Sequence, residues 1–87
     1  MVSDHEIRDL LRAALPDAQV ILEDLTGGED HWSAVVISDD FLNATRVEQH
    51  QMVYAALAEP LKGPLHALQL RTLTPEKARA EGLTETN

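Results

Sequence analysis

Apolar residues recur every three or four positions near the start of the chain. Ile7, Leu10, Leu11, Ala14 and Leu15 fall at i, i+3, i+4, i+7 and i+8, the spacing of one helical face. Ser3 and Glu6 stand ahead of that face in capping-box order, the Ser side chain accepting an orphan N–H and the Glu reaching back. Pro16 cannot continue the ladder, so the pattern predicts a helix that begins at Ser3 and stops before Pro16.

The period then changes. QVILEDL, residues 19–25, reads as a strand that leaves the core after Leu22, and WSAVVIS, residues 32–38, as a short β-branched second strand. TGGEDH between them is a turn, and so short a loop favours an antiparallel hairpin. DDFLN, residues 39–43, makes a compact connection with one helical turn. Helical spacing resumes behind a second capping box, Thr45 and Glu48, with Val47, Val53, Tyr54, Leu57 and Leu61 as the apolar face and Pro60 as a break. After Gly63-Pro64, residues 66–73 read as a third strand. Thr74-Pro75-Glu76 restarts a short helix, with a cap, a proline at the first position and an acid in the first turn. The reading is one domain over residues 1–80, with residues 81–87 expected to fray.

The order is therefore α-β-β-α-β-α. If the second and third strands are neighbours, the helix between them makes a right-handed crossover and they run parallel. Parallel neighbours begin at the same end of a sheet. His31 precedes the second strand and His66 begins the third. With adjacent strands about 4.8 Å apart, the topology brings two imidazoles to one sheet edge.

Composition narrows the chemistry. A chain of 87 residues has a small core, and with Trp32, Phe41 and Tyr54 as the only large rings that core is Leu, Val, Ile and Ala. Fifteen acids against seven lysines and arginines give a net charge of −8, which argues against nucleic-acid phosphates and anionic membranes as partners. The absence of cysteine excludes disulfides and thiol catalysis. A zinc or iron–sulfur centre would take His or carboxylate from this chain and thiolates from elsewhere. MVSDHE is not a leader and no apolar run approaches a membrane span, so the expectation is a soluble, cytoplasmic protein. With no P-loop, nucleophile elbow or zinc-hydrolase helix, an enzyme is not expected.

Three segments, DLTGGEDHWSAVVIS, VEQHQMVYAALAE and HALQLRTLTPE, resemble the BolA-like family in order and spacing over residues 7–78. The most specific parts are Gln49-His50-Gln51 in the second helix and His66-Ala67-Leu68, followed by Thr72, Thr74 and Pro75. The resemblance implies an α+β fold like the class II KH domain, a three-stranded mixed sheet with helices packed on one face. It also implies a monothiol glutaredoxin as partner and a [2Fe-2S] cluster shared with it, glutathione being supplied on the partner side. The isolated chain is not expected to hold a cofactor. The roles implied are cluster delivery, iron regulation and stress response. In the family, the histidine at the third strand is the recurring ligand, and it maps to His66. A second ligand comes from the loop before the second strand, as Cys in some members and His in others. GGEDH has no Cys, which leaves His31 as the imidazole there. A ligating histidine must be neutral, so binding should weaken at acid pH.

Each residue also has a plainer reading. On its own, His66 fits a partly buried histidine hydrogen-bonded at a strand edge; the resemblance favours a ligand. His31 is either a ligand or a solvated turn residue beside Trp32. Glu29 and Asp30 either hydrogen-bond its imidazole or keep the loop soluble. His50, three after Val47 and three before Val53, reads as a core-edge histidine that orients the neighbouring loop rather than as a ligand. His5 reads as solvent-exposed. Asp39 and Asp40 are too few oxygens for a cation site, and Arg71 and Lys62 read as scattered surface charge. Three functions stay open: the iron–sulfur adaptor, a KH-like nucleic-acid-binding regulator, and a metal-free protein-interaction domain. Against the second, Gly27-Gly28-Glu29-Asp30 is not the GXXG loop with which KH domains hold nucleic acid. The sequence does not fix the oligomeric state.

Overall fold

Two capping boxes set the starts of the long helices. In the computed structural model, which describes residues 1–85, Ser3 Oγ accepts the Glu6 N–H at 3.2 Å and Glu6 Oε1 accepts the Ser3 N–H at 3.4 Å. They open α1 (Asp4–Ala14). Thr45 and Glu48 repeat the exchange at 3.1 and 2.8 Å and open α2 (Arg46–Ala56). Between the helices lie β1 (Gln19–Asp24), β2 (His31–Ile37) and a single 3-10 turn, Asp39–Phe41. A short α3 (Ala58–Leu61), β3 (Ala67–Leu73) and α4 (Pro75–Ala80) complete the order. The helical spacing read over residues 47–61 is broken as expected of Pro60: α2 ends at Ala56, whose carbonyl would need the N–H that Pro60 lacks. Pro60 itself is buried at the third position of α3, where the first turn leaves that N–H unpaired in any case.

The sheet order is β1-β2-β3, with β1 antiparallel to β2 and β2 parallel to β3. This is the expected mixed sheet. Strand alternation puts Val20, Trp32, Ala34 and Val36 on one face, where they pack with Ile7 and Leu11 of α1 and Val53 of α2. The other face is not bare. Ile37, Leu73 and Ala78 form a second cluster with Ile21, Val35 and Leu83. The expectation that the helices share one face thus holds for α1 and α2 but not for α4. Leu73 points to the opposite face, and the cap at Thr74, whose Oγ1 accepts the Lys77 N–H, restarts a helix before the chain can cross the edge.

Three further expectations change. Val47 and Tyr54, assigned to the apolar face of α2, are 67% and 42% exposed. Gln49 turns inward between them because its amide has backbone partners there, described below. Ala14 is also exposed, leaving Ile7 and Leu11 as the buried residues of α1. The segment after α4 does not fray as far as it is described. Gly82 takes φ +71°, and the Leu83 N–H returns to the Ala78 carbonyl at 2.8 Å, a Schellman ending with its usual apolar contact. Glu85 then accepts the Val20 N–H at 2.6 Å. The last two residues of the expected tail, 86 and 87, lie outside the described residues. Among the described residues no helix is long and apolar enough to cross a membrane.

Candidate functional site

Asp24 organises the loop that carries the first imidazole. Its Oδ1 accepts the N–H groups of Thr26 and Gly27 at 3.3 and 3.0 Å, and its Oδ2 accepts that of Glu29 at 3.1 Å. This wraps the turn around one carboxylate and requires positive φ at Gly27 (+80°) and, less usually, at Glu29 (+57°). The turn delivers Asp30 to the start of β3, where the Asp30 carbonyl accepts the N–H groups of His66 and Ala67 at 2.8 and 3.2 Å. The parallel register then sets His31 opposite Ala67, beside His66.

The two imidazoles meet edge to face, with ring centroids 6.0 Å apart and planes at 77°. The juxtaposition expected from the topology is therefore present. The Asp30 carboxylate lies against both rings, 2.9 Å from His31 Nδ1 and 3.9 Å from His66 Nδ1. The His31 side chain first, and then the Thr26 hydroxyl that donates at 2.8 Å, hold its carboxyl down to about 2. His31 Nδ1 is buried and, although close to Asp30 Oδ1, meets no partner at hydrogen-bond angles. The His66 side chain is 63% exposed.

Two imidazoles at one sheet edge, one exposed and the other backed by the Asp30 carboxylate, fit a pair of metal donors. They do not make a complete site: among the described residues no group of three or more His, Cys, Asp or Glu gathers at metal-binding distance, and the chain has no thiol. A four-coordinate centre would need its remaining donors from a second molecule.

The other candidates lie elsewhere. Glu29 serves through its backbone, its N–H on Asp24 and its carbonyl accepting the Val2 N–H at 2.9 Å; its carboxylate makes no hydrogen bond or ion pair to either imidazole. His50 is half-buried, stacks edge to face on Tyr54 at 6.4 Å and faces the far end of β3, so it belongs to neither the core nor the imidazole pair. The loop-orienting role read for His50 belongs to its neighbour. Gln49 Nε2 donates to the Phe41 and Ala44 carbonyls at 3.1 and 3.0 Å, while Gln49 Oε1 accepts the Thr72 hydroxyl at 2.7 Å. Sequence reasoning quoted Gln49 without assigning it a task; its signal was a polar residue inside an otherwise buried helical position. Lys62 pairs with Glu59 and Arg71 with Glu81.

Comparisons with known proteins converge on one family. The BolA-like protein family matches residues 11–77. The DNA-binding transcriptional regulator BolA of Escherichia coli K12 is 33% identical over 99% of this chain and 87% of its own length. A protein of the same description from Haemophilus influenzae is 41% identical over 67% of this chain, which spans only 56% of that relative. Among solved structures, a bolA protein homologue from Coxiella burnetii superposes with a TM-score of 0.76 at 32% identity, covering 91% of this chain and 99% of that one. With the matched segment running from α1 to α4 and the same fold on both sides of the comparison, the chain belongs to the BolA-like family.

Proposed function

We propose that the protein is an adaptor in iron–sulfur cluster trafficking or iron regulation, which binds a monothiol glutaredoxin and shares a [2Fe-2S] cluster with it through His66 and His31. The observation that carries this reading is the meeting of the two imidazoles at the common start of β2 and β3. Two histidines in place of two thiolates on one iron raise the reduction potential of such a cluster. The chain's own part is positional. Asp30 fixes the His66 backbone through its carbonyl and lies beside both rings through its carboxylate. His66 presents an exposed ring to an incoming partner. The thiolates this chain lacks come from the partner and from glutathione.

The test is to add the protein to a cluster-loaded monothiol glutaredoxin and record visible circular dichroism. Wild type should impose a new spectrum, H66A should leave that of the glutaredoxin alone, and H31A should give a third. Superimposable spectra for wild type and H66A would refute the ligand assignment. Glutaredoxin binding that survives both cluster removal and H66A would leave a metal-free interaction domain.

A second reading rests on the two relatives described as DNA-binding transcriptional regulators. The net charge of −8 and the acidic turn at Glu29-Asp30 oppose it, since phosphate contacts dominate nucleic-acid affinity. A salt-dependent gel shift at micromolar protein and physiological ionic strength would restore it.

A further inference from the structure

The two open edges of the sheet are treated differently. At the β1 edge, Val20 points its backbone away from β2, and both groups are taken by side chains: Glu85 accepts the N–H at 2.6 Å and Arg8 donates to the carbonyl at 2.7 Å. At Val20, then, side chains occupy the positions a further strand would pair with. At the β3 edge, the Ala67 N–H and the Leu73 carbonyl bond toward the β2 side, to Asp30 and Ser38. Alternation along the strand then turns the backbone of Leu70 and Thr72 outward. Outside the ladder, no hydrogen bond among the described residues reaches the N–H or carbonyl of either.

These unpaired groups open into a groove of about 770 Å³ between α2 and α4. Arg46 and His50 line it from the α2 side, Lys77 from α4, and Arg71 from the strand itself. Three of the seven lysines and arginines of a strongly acidic chain thus gather along one strand edge. The one carboxylate in the lining, Glu81, is already paired with Arg71 at 2.7 Å. Among the described residues Arg46 and Lys77 have no ion-pair partner.

We infer that the β3 edge is a docking site for an extended, acidic peptide segment of a partner protein, which adds as a fourth strand. Main-chain bonds to Leu70 and Thr72 supply the pairing and the flanking cations select acidic side chains. A nucleic-acid strand would satisfy the cations but has no backbone to continue the ladder. The inference does not depend on the imidazole pair, which lies at the other end of β3.

The test uses a capped peptide of about ten alternating Val and Glu residues, the same peptide N-methylated along one bonding edge, and an oligothymidylate of similar length, each titrated into the 15N-labelled protein. Binding of the acidic peptide should slow amide exchange at Leu70 and Thr72 by at least about tenfold, leaving Gln69 and Arg71, already in the ladder, unchanged. N-methylation should abolish that protection. The R46E/K77E double variant should weaken binding by at least about tenfold, and H66A should bind as wild type. No binding at millimolar peptide, binding without protection at residues 70 and 72, or tighter binding of the oligonucleotide would each overturn the inference.

Discussion

Glu85 Oε1 accepts the backbone N–H of Val20 at 2.6 Å, joining residues 65 apart in sequence. Arg12 and Arg8 reach the same carboxylate, and its side chain is only 10% exposed. The segment after α4 is therefore tied to the first strand, and the strand edge beneath it is capped.

Replacing Glu85 with Gln should cost about 1–3 kcal/mol in urea denaturation near pH 7, the range for losing hydrogen bonds to a charged group. Burial opposes ionisation of Glu85, but the Val20 N–H and the two guanidinium groups outweigh it and lower its pKa below the usual 4.5. A depressed carboxylate contributes stability above its unfolded pKa and loses it as pH falls through the lower folded value. The gap between wild type and E85Q should thus be full at neutral pH and shrink below about pH 4.5. A gap that widens in acid would contradict the pairing.

Gln49 ties three elements together through one amide: the 3-10 turn through the Phe41 carbonyl, the loop after it through Ala44, and β3 through Thr72. Q49L should cost about 1–3 kcal/mol, because two backbone carbonyls and a hydroxyl lose their partner together. T72V removes only one bond and should cost about 1 kcal/mol. The double variant should be less destabilised than the sum, with a coupling of at least about 0.5 kcal/mol. Strict additivity would mean that the 2.7 Å contact does no work.

Val2 is fully buried, and its carbonyl accepts the indole N–H of Trp32 at 3.1 Å. Val2→Ala should cost about 1–3 kcal/mol by leaving a cavity beside the ring. With Trp32 as the chain's one tryptophan, the emission maximum reports on this packing alone. Removal of residues 1 and 2 should shift it to the red as water reaches the indole. An unchanged maximum would place the N-terminal contact outside the stable structure.

The elements and their order follow from the sequence because each is set locally. Caps at Ser3, Thr45 and Thr74, the alternation through Trp32, Ala34 and Val36, and the β2–α2–β3 crossover need no distant information. The imidazole pair follows too, since parallel neighbours must begin together. Val2 and Glu85 were missed because their burial depends on partners 30 and 65 residues away. Leu83 is different: Gly82 followed by an apolar residue after a short helix is a Schellman signal, and treating the last seven residues as one tail obscured it. The α2 face was misjudged because Gln49 is drawn inward by carbonyls that no hydrophobic pattern records. The grouping of Arg46, Arg71 and Lys77 needed three dimensions, as they come from α2, β3 and α4.

The Asp30 carboxylate offers a direct check on the imidazole geometry in the free protein. It is held down to about 2, by the His31 side chain first and by the Thr26 hydroxyl second. Both supports act on the ionised form, so removing either should raise the titration midpoint toward the ordinary 3.8. Carboxyl 13C shifts followed from pH 6 to pH 1.5 should show Asp30 titrating well below the ordinary 3.8 in wild type. The midpoint should rise more in H31A than in Thr26→Ala, matching the order of the two causes. Whatever stability the pair contributes is present above about pH 3.8 and lost as Asp30 protonates near 2. His66, at 3.9 Å rather than 2.9 Å, should matter less, and H66A should leave the Asp30 midpoint close to wild type. An Asp30 midpoint indifferent to His31 would mean that the carboxylate and the first ring are not in contact in solution. The β1–β2 turn would then not hold His31 beside His66, and the two-imidazole site would lose its geometric basis.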